Sequence, residues 1–290
     1  MVDYGSSDRP MSVGDLFKFG RIDIRALHKT WFAFFLTFYV WFNMAPLATT
    51  IMAVAGLTKA QMKIIFICNV ALTAPGRVVI GMLTDRFGPR KTFTAILMIM
   101  AIPCIVFALS NTYTQMLVSR LILSLVGTGF VVGIHMTSLW FKPKDIGFAQ
   151  GVEAGLGNWG SSIAAMTMPI IALNLFGGEN GWRYSIIASG VVMFFYGFYF
   201  FFFITDGPPG TPYHKPRKSA AIEVSTWLDM VNAWGWTIPS IGILAVLVWK
   251  IQKIGFLSPA GAAICYAIIA IVVLYQCIQI YRVNAPILRK

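Results

Sequence analysis

Charge is scarce in this chain. Asp, Glu, Lys and Arg make up 12% of its 290 residues, against roughly 25% in ordinary soluble domains, and only 11 residues are acidic. No soluble core of this size needs 57% hydrophobic residues. A water-soluble fold is excluded and an all-α, polytopic membrane protein is implied. The four cysteines, Cys68, Cys104, Cys265 and Cys277, lie in apolar stretches with no CxxC spacing and no histidine pair nearby. They read as small helix-packing residues rather than a metal site or a disulfide framework. No nucleophile–base pair and no phosphate-binding glycine loop stands out, so an enzyme is not expected, and neither is a cofactor. The first 30 residues lack the apolar run and cleavage site of a secretory signal and read as a cytosolic segment.

What is present is a series of long apolar runs. Those near the ~20 residues that cross a bilayer fall at about 31–56, 62–84, 91–110, 114–141, 147–175 and 182–205. Together, residues 31–205 form a six-helix unit. A Pro/Gly-rich cytosolic linker follows at 206–236, ending in the amphipathic-looking "EVSTWLDMVNAWGW". Two further runs, about 237–252 and 258–281, precede a cytosolic tail at 282–290. The formal charge of +12 does not imply nucleic acid, because the basic residues recur in short clusters between apolar runs. With the N-terminus inside, 16 of the 23 basic residues fall in cytosolic segments and five in outer loops. The positive-inside rule therefore predicts both ends to be cytosolic, and a bacterial inner membrane is expected to hold the chain.

Two arginines remain, both inside spans: Arg77 and Arg120. A charge at bilayer depth costs about 2.5–3.5 kcal/mol on insertion scales, so it usually faces a cavity or a partner. Arg77 lies eight residues before Asp85, about 12 Å deeper at 1.5 Å per residue. Asn69, Thr73 and Arg77 recur at intervals of four and are expected to form one polar stripe facing a central path. On the fourth helix, Arg120, Ser124 and His135 fall within about 60° of one another at 100° per residue. On the first, Tyr39, Asn43 and Thr50 share a side, with Pro46 as a kink. On the fifth, Gly151, Gly155, Asn158 and Ser162 form a narrow small-residue face, while Gly157 and Gly160 thin a second one. Glu153 is expected to pair with loop lysines, with proton coupling as its alternative.

The stretch "GMLTDRFGPRK" matches G-x-L-x-D-R-x-G-x-R-K and resembles the loop between helices two and three of the major facilitator superfamily. Its carriers are Gly81, Asp85, Arg86, Gly88, Arg90 and Lys91. Asp85 is expected to cap the next helix or pair with an arginine, and Gly88 to relax the turn. The resemblance implies a cytosolic latch between alternating-access states. Arg120 with Gly127 and Gly129 is similar to the superfamily's second motif and joins these residues as a conformational element.

"GVEAGLGNWG" resembles the signature of the nitrate/nitrite porter family within that superfamily, and Arg77 after Pro75 and Gly76 matches the family's substrate arginine. The resemblance extends over the six N-terminal helices, about 170 residues. It implies a secondary active transporter whose partner is a small inorganic anion, nitrate or nitrite. The candidate anion-binding residues are Arg77, Asn158, Asn43, Gly155, Gly157 and His135. A guanidinium offers planar, bidentate, permanently charged donors suited to a planar monovalent anion.

The family pattern has two six-helix halves. No second G-x-L-x-D-R-x-G loop and no second GxGNxG occurs here. A truncated transporter is therefore expected, its C-terminal half missing or on another chain, and the two helices at 237–281 resemble an insertion between halves. Two alternatives differ in kind: transport of a small organic anion such as a carboxylate, and a non-transporting membrane partner or sensor.

Overall fold

The computed structural model describes residues 9–210, 226–253, 255 and 257–288. Every regular element among them is helical. Among the described residues, seven stretches are long and apolar enough to cross a membrane by length and composition: Ile22–Ala55, Lys59–Phe87, Pro89–Leu109, Tyr113–Trp140, Pro143–Phe176, Gly181–Phe203 and Pro259–Arg282. The chain divides into two compact units, residues 1–215 and 216–290.

In the first unit, the first five stretches are interrupted or altered along their length. The first runs as α1 (Ile22–Phe42), a 3-10 turn at Ala45–Leu47 and α2 (Ala48–Ala55), Pro46 making the kink its φ restriction and missing N–H require. α1 starts at Ile22 rather than near 31. Its first turns carry charged and polar residues that a hydropathy reading leaves out: Asp23 is paired with Arg21 at 2.6 Å and the Lys29 ammonium binds the Phe203 carbonyl.

The second stretch breaks between α3 (Lys59–Ala71) and α4 (Thr73–Phe87), and the third between α5 (Pro89–Ile99) and α6 (Ala101–Leu109). The fourth consists of α7 (Tyr113–Leu123), a 3-10 segment at Ser124–Thr128 and α8 (Gly129–Trp140). The fifth, α9 (Pro143–Ile170), passes into a π-helical stretch at Ile171–Phe176 just after Pro169. The sixth, α10 (Gly181–Phe203), is continuous.

The tightest packing joins α1 to α9. A methyl on Gly160 would lie 2.1 Å from the Phe35 carbonyl oxygen, and one on Gly157 would lie 1.8 Å from the Phe34 ring. Glycine at both positions lets the two helices approach at backbone distance. The N-terminal segment docks on the end of the unit where α9 begins: the Met11 N–H donates to Asp145 at 2.9 Å. There the Lys18 ammonium and the Ser12 N–H hold the Asp15 carboxyl well below the usual carboxylate range.

The second unit is a helical hairpin, α11 (Trp227–Lys253) and α12 (Pro259–Leu288). The amphipathic-looking segment and the run at 237–252, read separately in the sequence, are one helix of 27 residues. The part of that segment before 226 lies outside the described residues. Thr226 opens the helix, its hydroxyl oxygen accepting the Asp229 N–H at 3.1 Å. The two helices run antiparallel: Trp234 Nε1 donates to the Cys277 carbonyl at 3.2 Å, and Met230 and Ile280 are buried in one cluster.

Candidate anion site

Arg77 is set by how closely α4 packs on the fourth stretch. A methyl on Gly76 would lie 2.6 Å from Leu125 and 3.0 Å from Thr128. The Thr73 hydroxyl donates to the Ser124 carbonyl at 2.8 Å, and the Leu72 N–H donates to the Ser124 hydroxyl at 3.1 Å. One residue after this seam, Arg77 is exposed and its guanidinium carbon lies 5.5 Å from the centre of the Phe130 ring. The Phe130 ring lies 5.7 Å from that of Phe34, and Phe34 fills the notch left by Gly157. An aromatic layer therefore connects Arg77 on α4 to α9 at the position next to Asn158. Such a ring holds a guanidinium by its negative face without neutralising it.

On α9, Gly151, Gly155, Asn158 and Ser162 are all exposed, which makes the small-residue face an open one. Asn158 Nδ2 donates to the Ala154 carbonyl at 2.7 Å. A primary amide has two N–H donors, so one remains for a ligand. Of the residues expected to bind the anion, the aromatic layer links Arg77 with Gly157, while Asn158 and Gly155 lie on the open face of α9. Gly157 itself is covered by Phe34, so its missing side chain serves the α1–α9 contact.

Asn43 and Arg120 belong elsewhere. Arg120 is 0% exposed. It donates to Asn43 Oδ1 at 2.8 Å and Asn69 Oδ1 at 3.5 Å, with its guanidinium 4.0 Å from the centre of the Phe107 ring. Asn43 Nδ2 in turn donates to the Ser189 hydroxyl at 2.9 Å. Asn69 Nδ2 donates to the Trp41 carbonyl at 3.1 Å. This buried knot ties α1, α3, α7 and α10 together, and it consumes the amide groups that an anion would have used. The expected stripe of Asn69, Thr73 and Arg77 does not form, because the helix breaks at Leu72 and leaves the first two buried while Arg77 is exposed. The expected side shared by Arg120, Ser124 and His135 fails for the same reason: the 3-10 segment at Ser124–Thr128 resets the angular count. His135 is half-buried on α8 within electrostatic reach of Asp85 and Asp206, at the charged-loop end.

The loop after α4 is anchored by a residue far away in sequence. Gly88 has φ +89°, and a methyl on it would lie 2.7 Å from Asp206 Oδ1. That same oxygen accepts the Arg90 N–H at 2.8 Å. The cap on α5, one of the two roles expected of Asp85, thus comes from Asp206, which meets an orphan N–H and the positive end of the helix together. The Arg90 guanidinium lies over the Phe201 ring at 5.0 Å. Arg86 and Lys91 are exposed, Asp85 is half-buried, and a methyl on Gly81 would meet Val131 at an ordinary 3.8 Å.

Gly88→Ala is expected to cost about 1–3 kcal/mol, since it combines left-handed backbone strain with a clash. Asp206→Ala is expected to cost about 1 kcal/mol as a lost cap. The double variant is expected to lose less than the sum, because removing Asp206 removes the clash. Thermal unfolding of the three purified variants measures this.

Asp206, Phe130 and Gly133 were not singled out by the sequence. Phe130 directly follows "GTG", and a bulky ring set beside small residues was the one available signal. For Asp206, at the start of a Pro/Gly-rich linker, there was none.

A helical bundle of apolar spans with a charged loop anchored at one end defines a polytopic helical membrane protein. The chain belongs to the major facilitator superfamily: the family model described as Major Facilitator Superfamily matches residues 30–286. Its similarity within the superfamily is to the nitrate/nitrite porters. It is 42% identical over 287 residues to the nitrate/nitrite transporter NrtP of Picosynechococcus sp., covering 91% of this chain and 53% of that protein. It is 41% identical over 273 residues to the NrtP of Nostoc punctiforme, covering 91% of this chain and 54% of that protein. A probable nitrate/nitrite antiporter of Thermus thermophilus is 30% identical over 181 residues, covering 60% of this chain and 41% of its own length. The chain spans about half the length of the NrtP relatives it matches.

Proposed function

We propose that the chain is the N-terminal half of a nitrate/nitrite transporter that works by alternating access, with Arg77 as its anion ligand. The observation that carries this reading is the exposed guanidinium of Arg77, held on the Phe130 ring with no carboxylate paired to it among the described residues. A permanent cation kept at depth on a ring retains its donors for a ligand. The second N–H of Asn158 and the bare backbone at Gly155 supply a donor and room for close approach on the open face. The names of the relatives supply the anion. In this reading the Gly81–Lys91 loop is the cytosolic latch, held by Asp206, and both chain ends are cytosolic. A second half, covalently continuous or on another chain, completes the path.

Titrating nitrate, nitrite and acetate onto the purified chain in lipid nanodiscs, by calorimetry, tests the reading. Nitrate and nitrite are expected to compete for one site and acetate to be at least tenfold weaker. Preference for acetate would move the cargo to the organic anions. Binding of none of the three would remove the anion site from this chain.

A further inference from the structure

Glu153 is used by none of the arrangements above. It lies on α9 and is 0% exposed. Neither carboxyl oxygen has a hydrogen-bond partner, and Glu153 makes no ion pair among the described residues. The expected pairing with loop lysines is absent because the side chain points inward to α8. A methyl on Gly133 would lie 1.9 Å from Oε1, so α8 has no side chain where the carboxyl sits. This is a built cradle for an acid.

Among the described residues, the elements packed against α9 bring no counter-charge to Glu153. On α8 the titratable side chain is His135, within reach of Asp85 and Asp206. On α1, Asp23 is held by Arg21, Lys29 by the Phe203 carbonyl and Tyr39 by Thr167. His28 is bound to Leu16 and Trp31, and Arg25 is exposed. On α10, Arg183 binds the carbonyls of Ala108 and Ser110, Tyr196 donates to Lys29, and Tyr184 and Tyr199 are exposed. An isolated carboxylate taken out of water costs far more than helix packing returns, whereas the neutral acid has no such penalty.

Position gives the acid a use. Glu153 is four residues before Gly157 on α9, and Gly133 is three residues after Phe130 on α8. Each step is about one helical turn on the same face. The carboxyl therefore sits one turn from the Phe34–Phe130 layer, whose Phe130 ring holds the exposed Arg77.

We propose that Glu153 is a proton-binding site whose proton and the anion at Arg77 bind together. The coupling rests on the anion reading above; the proton site does not. An anion at Arg77 opposes a negative Glu153 and favours the acid, so the proton in turn strengthens anion binding by the same factor. Where rising pH has ionised the acid, the arriving anion draws a proton from water to re-form the O–H bond, and that bond breaks to return the proton to water when the anion leaves. One proton per monovalent anion leaves the pair without net charge.

The first arm of the test is infrared difference spectroscopy of the purified chain in nanodiscs, unaltered against Glu153→Gln. At neutral pH the variant is expected to lose one protonated-carboxyl carbonyl band. Loss of carboxylate bands instead would overturn the proton site. If Glu153→Gln does not accumulate, Glu153→Asp answers the same question by moving that band. The second arm measures nitrate affinity across a pH series. The unaltered chain is expected to lose affinity as pH rises through ionisation of the acid, approaching about tenfold per pH unit, while Glu153→Gln stays flat. Equal slopes in the two proteins would overturn the coupling. Absence of nitrate binding at every pH in both would overturn the anion reading and the coupling, while the infrared band still decides the proton site.

Discussion

Gly160→Ala is expected to prevent the folded chain from accumulating in the membrane. The new methyl would lie 2.1 Å from the Phe35 carbonyl oxygen and 2.9 Å from the Tyr39 nitrogen. Both are backbone atoms, so no rotamer change relieves the clash, and α1 would have to move off α9 along its length. Overpacking a close core contact costs about 1–3 kcal/mol and sometimes more; backbone contacts on both sides put this case at the upper end. The control lies on the same helix. Gly155 has nothing within 4 Å of an added methyl, so Gly155→Ala is expected to leave stability unchanged or raise it by up to about 1 kcal/mol through helix propensity. Fluorescence-detected size exclusion of the two variants, side by side, reads the difference. Equal behaviour would mean that α1 and α9 do not cross at backbone distance.

Arg77→Gln is expected to weaken nitrate binding by about 10–150-fold, the loss of a charge-assisted hydrogen bond worth about 1.5–3 kcal/mol. Arg77→Lys is expected to fall between the two, because it keeps the charge and loses the planar fork. Neither change should move thermal stability by more than about 0.5 kcal/mol, since the side chain is exposed and stacked only on Phe130. Arg120→Gln makes the contrast, as it breaks the buried knot with Asn43 and Asn69 and is expected to lower stability first. If nitrate affinity is unmoved in Arg77→Gln, the anion ligand lies elsewhere.

The two arginines show where sequence reading reached its limit. The spans were legible because a bilayer demands about 20 apolar residues whatever the packing. The loop was legible because its charges crowd a short turn. Arg77 and Arg120 carry the same insertion cost, however, and nothing local distinguishes a buried knot from an open site. The distinction came from partners far away in sequence, 51 residues for Asn69 and 77 for Asn43 with Arg120, and Phe130 for Arg77, brought together by helices that break. Counting 100° per residue through Leu72 and through Ser124–Thr128 placed Asn69, Thr73, Ser124 and His135 on faces they do not share. The glycines of α9 fared better, since their spacing holds along an unbroken helix: Gly157 and Gly160 proved to be the packed side, Gly155 and Asn158 the open one.

The 3-10 segment at Ser124–Thr128 divides the fourth span into two parts with different duties. Its α7 part is welded to three other helices by Arg120. Its α8 part carries Phe130 and Gly133, which touch the arginine of one candidate site and the acid of another. A span with a joint at its midpoint can twist one arm while the other keeps its footing. The arm that carries Phe130 and Gly133 thus stands on a different footing from the arm that Arg120 holds in the bundle.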